Sequence, residues 1–229
     1  MTQVRVVAIT KPVGALEDMD PGEFIAYAAR VSNPANQMNH ETSPRLINYL
    51  IKKKHWSPFE MASATLEIVT TRDIGRQILR HRSFSFQEFS QRYAAVAQFV
   101  IREARLQDAN NRQNSIDTED ALLQEWWESV QQLTIQSAQQ KYEEALSKGI
   151  AKEVARAILP EGNTVTTMYM AGTIRSWIHY IAIRAAIETQ KEHREIAQMC
   201  KSVLDEYYEF MSSIDFDSLG KEIMANPKQ

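Results

Sequence analysis

The chain has 229 residues, is 44% hydrophobic and 24% charged, and carries a formal net charge of −3. That length can bury a core as one domain without cross-links, and the acidic balance argues against a protein that coats nucleic acid, whose usual footprint is a basic domain. The single cysteine, Cys200, excludes an internal disulfide; no apolar run reaches the roughly 18 residues of a membrane span, and no signal-peptide pattern opens the chain, so a cytoplasmic protein without membrane contact is expected.

Gln3 to Thr10 reads as a strand, with Val4, Val6, Val7 and Ile9 supplying β-branched bulk. Asp20-Pro21-Gly22-Glu23 predicts a helix start, Asp20 as N-cap and Pro21 in the first helical position. Phe24, Ile25, Ala28 and Val31 form its apolar stripe, which ends before Asn33-Pro34. Ser43-Pro44 opens a second helix, with Leu46, Ile47 and Leu50 inward and Lys52 to Lys54 near its C-terminal end, where cations suit the dipole. His55-Trp56-Ser57-Pro58 reads equally as a turn or as a small polar site. From Phe59 to Thr71 the residues alternate, with Ala62, Ala64, Leu66 and Ile68 on the more apolar face of a strand.

Arg72, Arg76 and Arg80 then recur every four residues, so a helix would carry them along one drifting stripe with Ile74 and Ile78 opposite. Beyond the stretch Arg80–Arg92, a second strand is expected from about Ala97 to Arg105, and a polar loop from Asp108 to Thr118. Acids at Asp117, Glu119 and Asp120 introduce a long helix, with a stripe of Leu123, Trp126 or Trp127, Val130, Leu133 or Thr134, Ala138 and Tyr142, ended by Gly149. The paired tryptophans read as packing or subunit contact. Ala151 to Leu159 is a short helix presenting Arg156, and Thr164 to Met170 is a strand or an extended lead-in. Gly172 to Glu188 reads as a helix with Ile174, Trp177, Ile178, Ile181 and Ala185 inward and Arg175, His179 and Arg184 off that stripe; Thr189 to Met211 continues helically. Cys200 shares a helical face with Ile196 and Val203 or Leu204, which makes it core rather than nucleophile. The expected class is α+β: one domain over residues 1–229, an antiparallel sheet backed by helices with a long helical part.

The chemistry concentrates between residues 72 and 92, where Arg72, Arg76, Arg80, Arg82 and Arg92 face only Asp73 and Glu88. Arginine stays protonated and its planar fork suits phosphate. A solvated face or an ion-pair network is the plainer explanation of such a cluster, but the interleaved Phe84, Phe86 and Phe89 hold polar groups in a partly apolar setting. With no G-x-G spacing, there is neither a dinucleotide-binding turn nor a P-loop. His40, His55, His81, His179 and His193 show no paired ligand spacing, so no metal site is expected. A single-strand binding module using the arginines and phenylalanines, and a nucleotide-binding regulator without activity, are the competing functional classes.

The run from Arg80 to Arg92 fills the pattern R-H-R-x-x-S-x-x-x-x-S-x-R without a mismatch, and it resembles the signature of the flavin-dependent thymidylate synthases. The likeness extends from about residue 25 to about residue 195. Arg112-Gln113-Asn114-Ser115 and the stretch from Arg175 to Arg184 are most similar to the viral and cyanobacterial branch. The resemblance implies a homotetramer with active sites shared between subunits, FAD as cofactor, dUMP as substrate, and NADPH and methylenetetrahydrofolate as co-substrates. It also implies flavin contacts at Ser57, Arg80, His81, Arg82, Glu88, Arg175 and His179, with His55 beside them and Ser32 as a further small polar residue nearby. Substrate contacts are implied at Gln77, Arg80, Glu88, Phe89, Ser90, Gln91, Arg92, Arg156 and Arg184, with Arg184 and Ser90 catalytic.

Overall fold

The computed structural model describes residues 2–95 and 98–225. Its elements run β1 (Gln3–Ile9), α1 (Pro21–Ala29), α2 (Ser43–Lys52), β2 (Ser63–Thr71), α3 (Arg72–Ile78), β3 (Ser85–Glu88), β4 (Arg105–Gln107) and β5 (Ser115–Asp117). They continue with α4 (Ala121–Ser147), α5 (Lys152–Ala155), β6 (Val165–Thr173), α6 (Ile174–Arg184), α7 (Lys191–Asp205) and α8 (Phe216–Ala225). One sheet has the order β1-β2-β6-β3, and β4 and β5 pair separately.

The ladder contacts give the strand directions. Thr10 N–H reaches Ser63 O while Arg5 meets Glu67, so β1 and β2 run antiparallel. Ile174 N–H to Ala62 O and Arg72 N–H to Thr164 O bracket β2 and β6 in the same sense. This is the α+β class, with helices packed around antiparallel strands. The chain divides into two compact units, the first from residues 69–80 and 87–168, the second from 3–68, 81–86 and the described part of 169–229.

In the second unit, Asp20 caps α1 as expected: its carboxylate accepts from Gly22 and Glu23 N–H, and Glu23 reaches back to complete a capping box. Such a cap contributes about 1 kcal/mol. The apolar face of β2 is buried at Ala64, Leu66 and Ile68. Against it lies α6, whose Trp177 Nε1 donates to Ala64 O at 3.1 Å. That helix starts at Ile174, later than Gly172, because Thr173 is its N-cap and accepts from Ser176 N–H. It also stops at Arg184, so the helix expected up to Glu188 is shorter. In the same way α7 ends at Asp205, and only a 3-10 turn at Glu209–Ser213 follows toward Met211. Packed on β1, α7 turns His193, Ile196, Ala197, Cys200 and Leu204 inward.

In the first unit, Ile74 and Ile78 are fully buried beneath α3. Tyr142 of α4 packs with Ala155 and Leu159, joined by Phe99 and Leu146. The expected strand from Ala97 to Arg105 is not formed as one element, and Ala97 lies outside the described residues. Only Phe99 makes an isolated antiparallel bridge, to Thr164, before β4 begins at Arg105. The reason lies in α4. Gln131 donates to Arg102 O at 2.8 Å and accepts from Arg102 N–H at 3.0 Å; Gln124 does the same for Ala104 at 2.9 and 2.8 Å. Two side-chain amides, seven residues apart and therefore on one helical face, take the bonds that a neighbouring strand would have made.

The inward face of α4 is accordingly Gln131, Ile135 and Tyr142. Leu133, expected as an inward alternative, is 67% exposed, and so is Trp126 at 59%. Residues 108–118 are more than a loop, because Ser115–Asp117 pairs antiparallel with Arg105–Gln107. Gly149 follows α4 with φ +81°, a conformation glycine adopts without steric cost.

Candidate active site

In the first unit, α3 begins directly after β2 and carries Arg72, Arg76 and Gln77; Arg80 lies past its last turn and is exposed. The arginine stripe therefore divides into separate tasks. Arg72 Nη1 stands 3.4 Å from Glu88 Oε1, and Thr166 Oγ1 donates to that same oxygen at 2.9 Å. Arg76 grips Glu161 with its Nε at 2.9 and 3.1 Å from the two carboxylate oxygens, and its Nη2 closes on Oε1 as well. This pairing holds the Arg76 guanidinium even more firmly protonated than usual.

The segment after β3 bends sharply. Phe89 N–H donates to Thr167 O at 2.8 Å, and Ser90 Oγ accepts from Arg92 N–H at 3.3 Å. Phe89 is itself partly exposed. Arg92 Nε lies 3.3 Å from Glu153 Oε2, and Arg156 Nε donates to Glu153 O at 3.3 Å, so one residue of α5 tethers both arginines. A cavity of about 230 Å³ opens here, lined by Arg72, Arg76, Gln91, Arg156, Glu161 and Thr164 among others. Gln91 is only 4% exposed, and its Nε2 has no hydrogen-bond partner. A buried amide left unpaired costs about 1–3 kcal/mol, so this donor calls for an acceptor atom inside the cavity.

In the second unit, Ser57 opens a short 3-10 turn at Ser57–Glu60 and is exposed, as are His55 and Arg82. Glu60 at the end of that turn accepts from Arg175 Nη1 at 2.6 Å. One turn along α6, His179 stands edge-on to Trp56 with ring centres 4.8 Å apart. Its Nε2 is buried and unpartnered, and burial, helped by Arg175, pulls its pKa down to about 4, which keeps the imidazole neutral.

Arg184, at the C-terminal end of α6, donates from Nε to His81 Nε2 at 2.9 Å. His81 then carries its proton on Nδ1 when neutral. Behind it, the His81 ring meets Tyr180 edge-on at 4.9 Å, and Tyr180 OH lies 3.1 Å from His193 Nε2. His193 is fully buried, and burial lowers its pKa to about 3, with Arg184 and His81 acting in the same direction. Phe84, the first phenylalanine of the motif, sits against Trp177 at 4.8 Å and fills the space over Gly172, where a Cβ would fall 2.4 Å from its ring.

The implied substrate residues Gln77, Arg80, Glu88, Phe89, Ser90, Gln91, Arg92 and Arg156 thus fall in the first unit, and the implied flavin residues Ser57, His81, Arg82, Arg175 and His179 fall with Arg184 in the second. Sequence patterns assign no role to Thr166, Glu161 or Glu60. Each is a single polar residue whose partner lies 78, 85 or 115 positions away. Among the described residues no group of histidine, cysteine and carboxylate side chains could hold a metal ion.

A family profile described as thymidylate synthase complementing protein, Thy1, matches residues 15–208. The probable flavin-dependent thymidylate synthase of Paramecium bursaria Chlorella virus 1 is 49% identical over 215 residues, covering 93% of this chain and 98% of that protein. The flavin-dependent thymidylate synthase of a Synechocystis strain is 50% identical over 207 residues, covering 90% and 95%. In fold, the chain is similar to the crystal structure of a UMP/dUMP methylase PolB from Streptomyces cacaoi bound with 5-Br dUMP, with a TM-score of 0.79 at 23% identity over 95% of this chain and 97% of that one. With most of its length matched by the family profile and by relatives at about half identity, the chain belongs to the Thy1 family, the thymidylate synthase complementing proteins.

Proposed function

We propose that this chain is a flavin-dependent thymidylate synthase. It converts dUMP to dTMP with methylenetetrahydrofolate as one-carbon donor and FAD, reduced by NADPH, as hydride source, and residues 1–229 act as one functional domain. The observation that carries this reading is the cavity of the first unit, where the unpaired Gln91 Nε2 and the Arg156 guanidinium present donors beside Arg72, and where the one carboxylate of the lining, Glu161, is already engaged by Arg76. Converging N–H donors of this kind suit phosphate oxygens.

Gln77, Arg80, Glu88, Phe89, Ser90, Gln91, Arg92 and Arg156 hold the nucleotide in this reading, the arginines and the Ser90 hydroxyl fixing its phosphate by charge-assisted bonds. Ser57, Arg80, His81, Arg82, Glu88, Arg175 and His179 hold FAD. The residues present fit it, because the neutral, unsatisfied His179 Nε2 and the adjacent Arg175 offer a polar ligand two contacts. Bound there, FAD supplies the hydride. Arg184 places a fixed cation against the pyrimidine, where negative charge grows during reaction, and Ser90 is the second catalytic residue of this reading.

No cysteine nucleophile is needed. Cys200 is fully buried on α7, and burial drives its pKa upward, away from the reactive thiolate. Cys200→Ala should therefore fold, load flavin and keep thymidylate synthesis within about twofold of wild type, since a substitution that removes so little volume costs about 1 kcal/mol. Loss of turnover in a folded, flavin-loaded variant would make the thiol a participant.

We assign the homotetramer with shared active sites partly from α4. Its outer face presents Leu122, Trp126 and Leu133, 79%, 59% and 67% exposed, at a helical spacing that suits a second subunit. We place the enzyme in the cytoplasm; among the described residues no helix is long and apolar enough to cross a membrane.

The test is the purified protein itself. It should show flavin absorbance that bleaches with NADPH and convert dUMP to dTMP only when methylenetetrahydrofolate is supplied. Arg156→Ala should weaken dUMP binding by about tenfold to hundredfold, the worth of one hydrogen bond to a charged group. A colourless protein that takes up no added FAD would overturn the reading.

A further inference from the structure

Glu88 is held from one side only. Its Oε1 receives the Thr166 hydroxyl at 2.9 Å and faces Arg72 Nη1 at 3.4 Å, whereas no hydrogen bond reaches Oε2 among the described residues. The carboxylate and Arg72 are largely withdrawn from water, their side chains being 20% and 11% exposed. The approach is close by construction. Arg72 N–H is tied to Thr164 O at 3.0 Å, which docks the first turn of α3 beside β6. Further along α3, Gly75 lacks a side chain where a Cβ would stand 3.3 Å from Thr166 Cγ2 and 3.7 Å from Glu88 Oε1.

We propose that Thr166 and Arg72 are positioning residues that fix the plane of the Glu88 carboxylate, and with it the direction in which its second oxygen is offered to the nucleotide. The inference rests on the reading of Glu88 as a substrate contact. A free carboxylate samples a broad range of plane orientations by rotation about the last side-chain bond. Binding both a hydroxyl and a guanidinium at one oxygen narrows that range before substrate arrives, leaving the other oxygen as an acceptor with a set direction. Arg72 supplies charge balance in a setting of few waters, and Thr166 supplies direction. Its methyl group packs under Gly75, so only one rotamer of its hydroxyl points to Glu88. Preorganisation of this kind is worth most for a contact that must be in place before the reacting groups meet.

The experiment uses the full-length, FAD-loaded enzyme and compares Thr166→Val, Thr166→Ser and Glu88→Gln by steady-state kinetics in dUMP and by thermal melting. Valine keeps the shape of threonine without the donor; serine keeps the donor without the methyl. Thr166→Val should raise KM for dUMP by about tenfold with a smaller change in kcat and in melting temperature, and Thr166→Ser should return KM to within about threefold of wild type. Equal KM for wild type and Thr166→Val, in a background where Glu88→Gln binds dUMP poorly, would overturn the proposal. So would equal losses in the valine and serine variants, which would mean that side-chain bulk and not the hydroxyl matters. Unchanged dUMP affinity in Glu88→Gln would overturn it as well, by removing the contact to be positioned. The valine and serine outcomes leave the assignment as a thymidylate synthase untouched, because that assignment is tested separately by flavin loading and dTMP formation in the wild-type enzyme.

Discussion

Arg184→Lys should load FAD normally and lose most of its turnover. In the folded chain the Arg184 Nε–H donates to His81 Nε2 at 2.9 Å, so the planar guanidinium is oriented by that ring. Lysine preserves the charge but carries a single nitrogen at the end of a flexible stem. It cannot hold His81 and a pyrimidine edge at once. His81 is also rigidly seated, edge-on to Tyr180 with Tyr180 bonded to the buried His193, so the ring cannot follow a displaced cation. A hydrogen bond involving a charged group contributes about 1.5–3 kcal/mol, and each step of about 1.4 kcal/mol is tenfold in rate. Turnover should therefore fall by about tenfold to hundredfold, more than the affinity for dUMP, because the ring charge develops in the transition state. Rates measured at saturating dUMP, methylenetetrahydrofolate and NADPH decide the matter. Equal turnover in the two proteins would remove Arg184 from the chemistry.

Gly220→Ala should lower the melting temperature by several degrees. Within the second unit, α8 runs so close to α6 that a Cβ at position 220 would lie 2.2 Å from the carbonyl oxygen of Ala182 and 3.1 Å from its carbonyl carbon. Both obstacles are backbone, so no rotamer change relieves them, and the two helices must separate. Alanine gains about 1 kcal/mol of helix propensity over glycine. Overpacking of a tight core costs about 1–3 kcal/mol and sometimes more, and a clash of backbone against Cβ belongs at the upper end. The net loss should be about 2 kcal/mol, or roughly 4–8 °C for a chain of this size. Because α6 carries Arg175, His179 and Arg184, flavin retention should suffer too. Gly162→Ala, where an added Cβ meets nothing within 4 Å, is the control and should melt within about 1 °C of wild type. Identical melting of Gly220→Ala and wild type would show that the helix contact is softer than its geometry.

Much of the frame was legible because local rules decided it. Asp20-Pro21 announced a capped helix, the alternation before Thr71 announced a strand with one buried face, and Cys200 fell on a periodic apolar stripe; each rests on residues within a few positions of one another. The motif was legible as a pattern, and its arginines were not legible as individuals. Nothing in the spacing of Arg72 and Arg76 distinguishes the one that meets Glu88 from the one that meets Glu161, since both partners arrive from distant strands and turns. The face of α4 was misread for a related reason. Hydrophobic periodicity points to Val130 and Leu133, whereas the buried position next to them is Gln131, an amide whose burial makes sense only once Arg102 is beside it. Gly172 and Thr173 read as helical from the sequence alone, whereas Thr173 caps the helix that follows.

The glutamines of α4 also bear on how the protein behaves in a crowded solution. An extended segment with unclaimed peptide groups is a template on which a foreign strand can grow, and this is a common route to aggregation. At Arg102 and Ala104 that template is blanked out, because each carboxamide imitates a peptide bond and occupies donor and acceptor together. Helix α4 thereby acts as a counterfeit neighbouring strand, one that cannot itself be extended by another molecule.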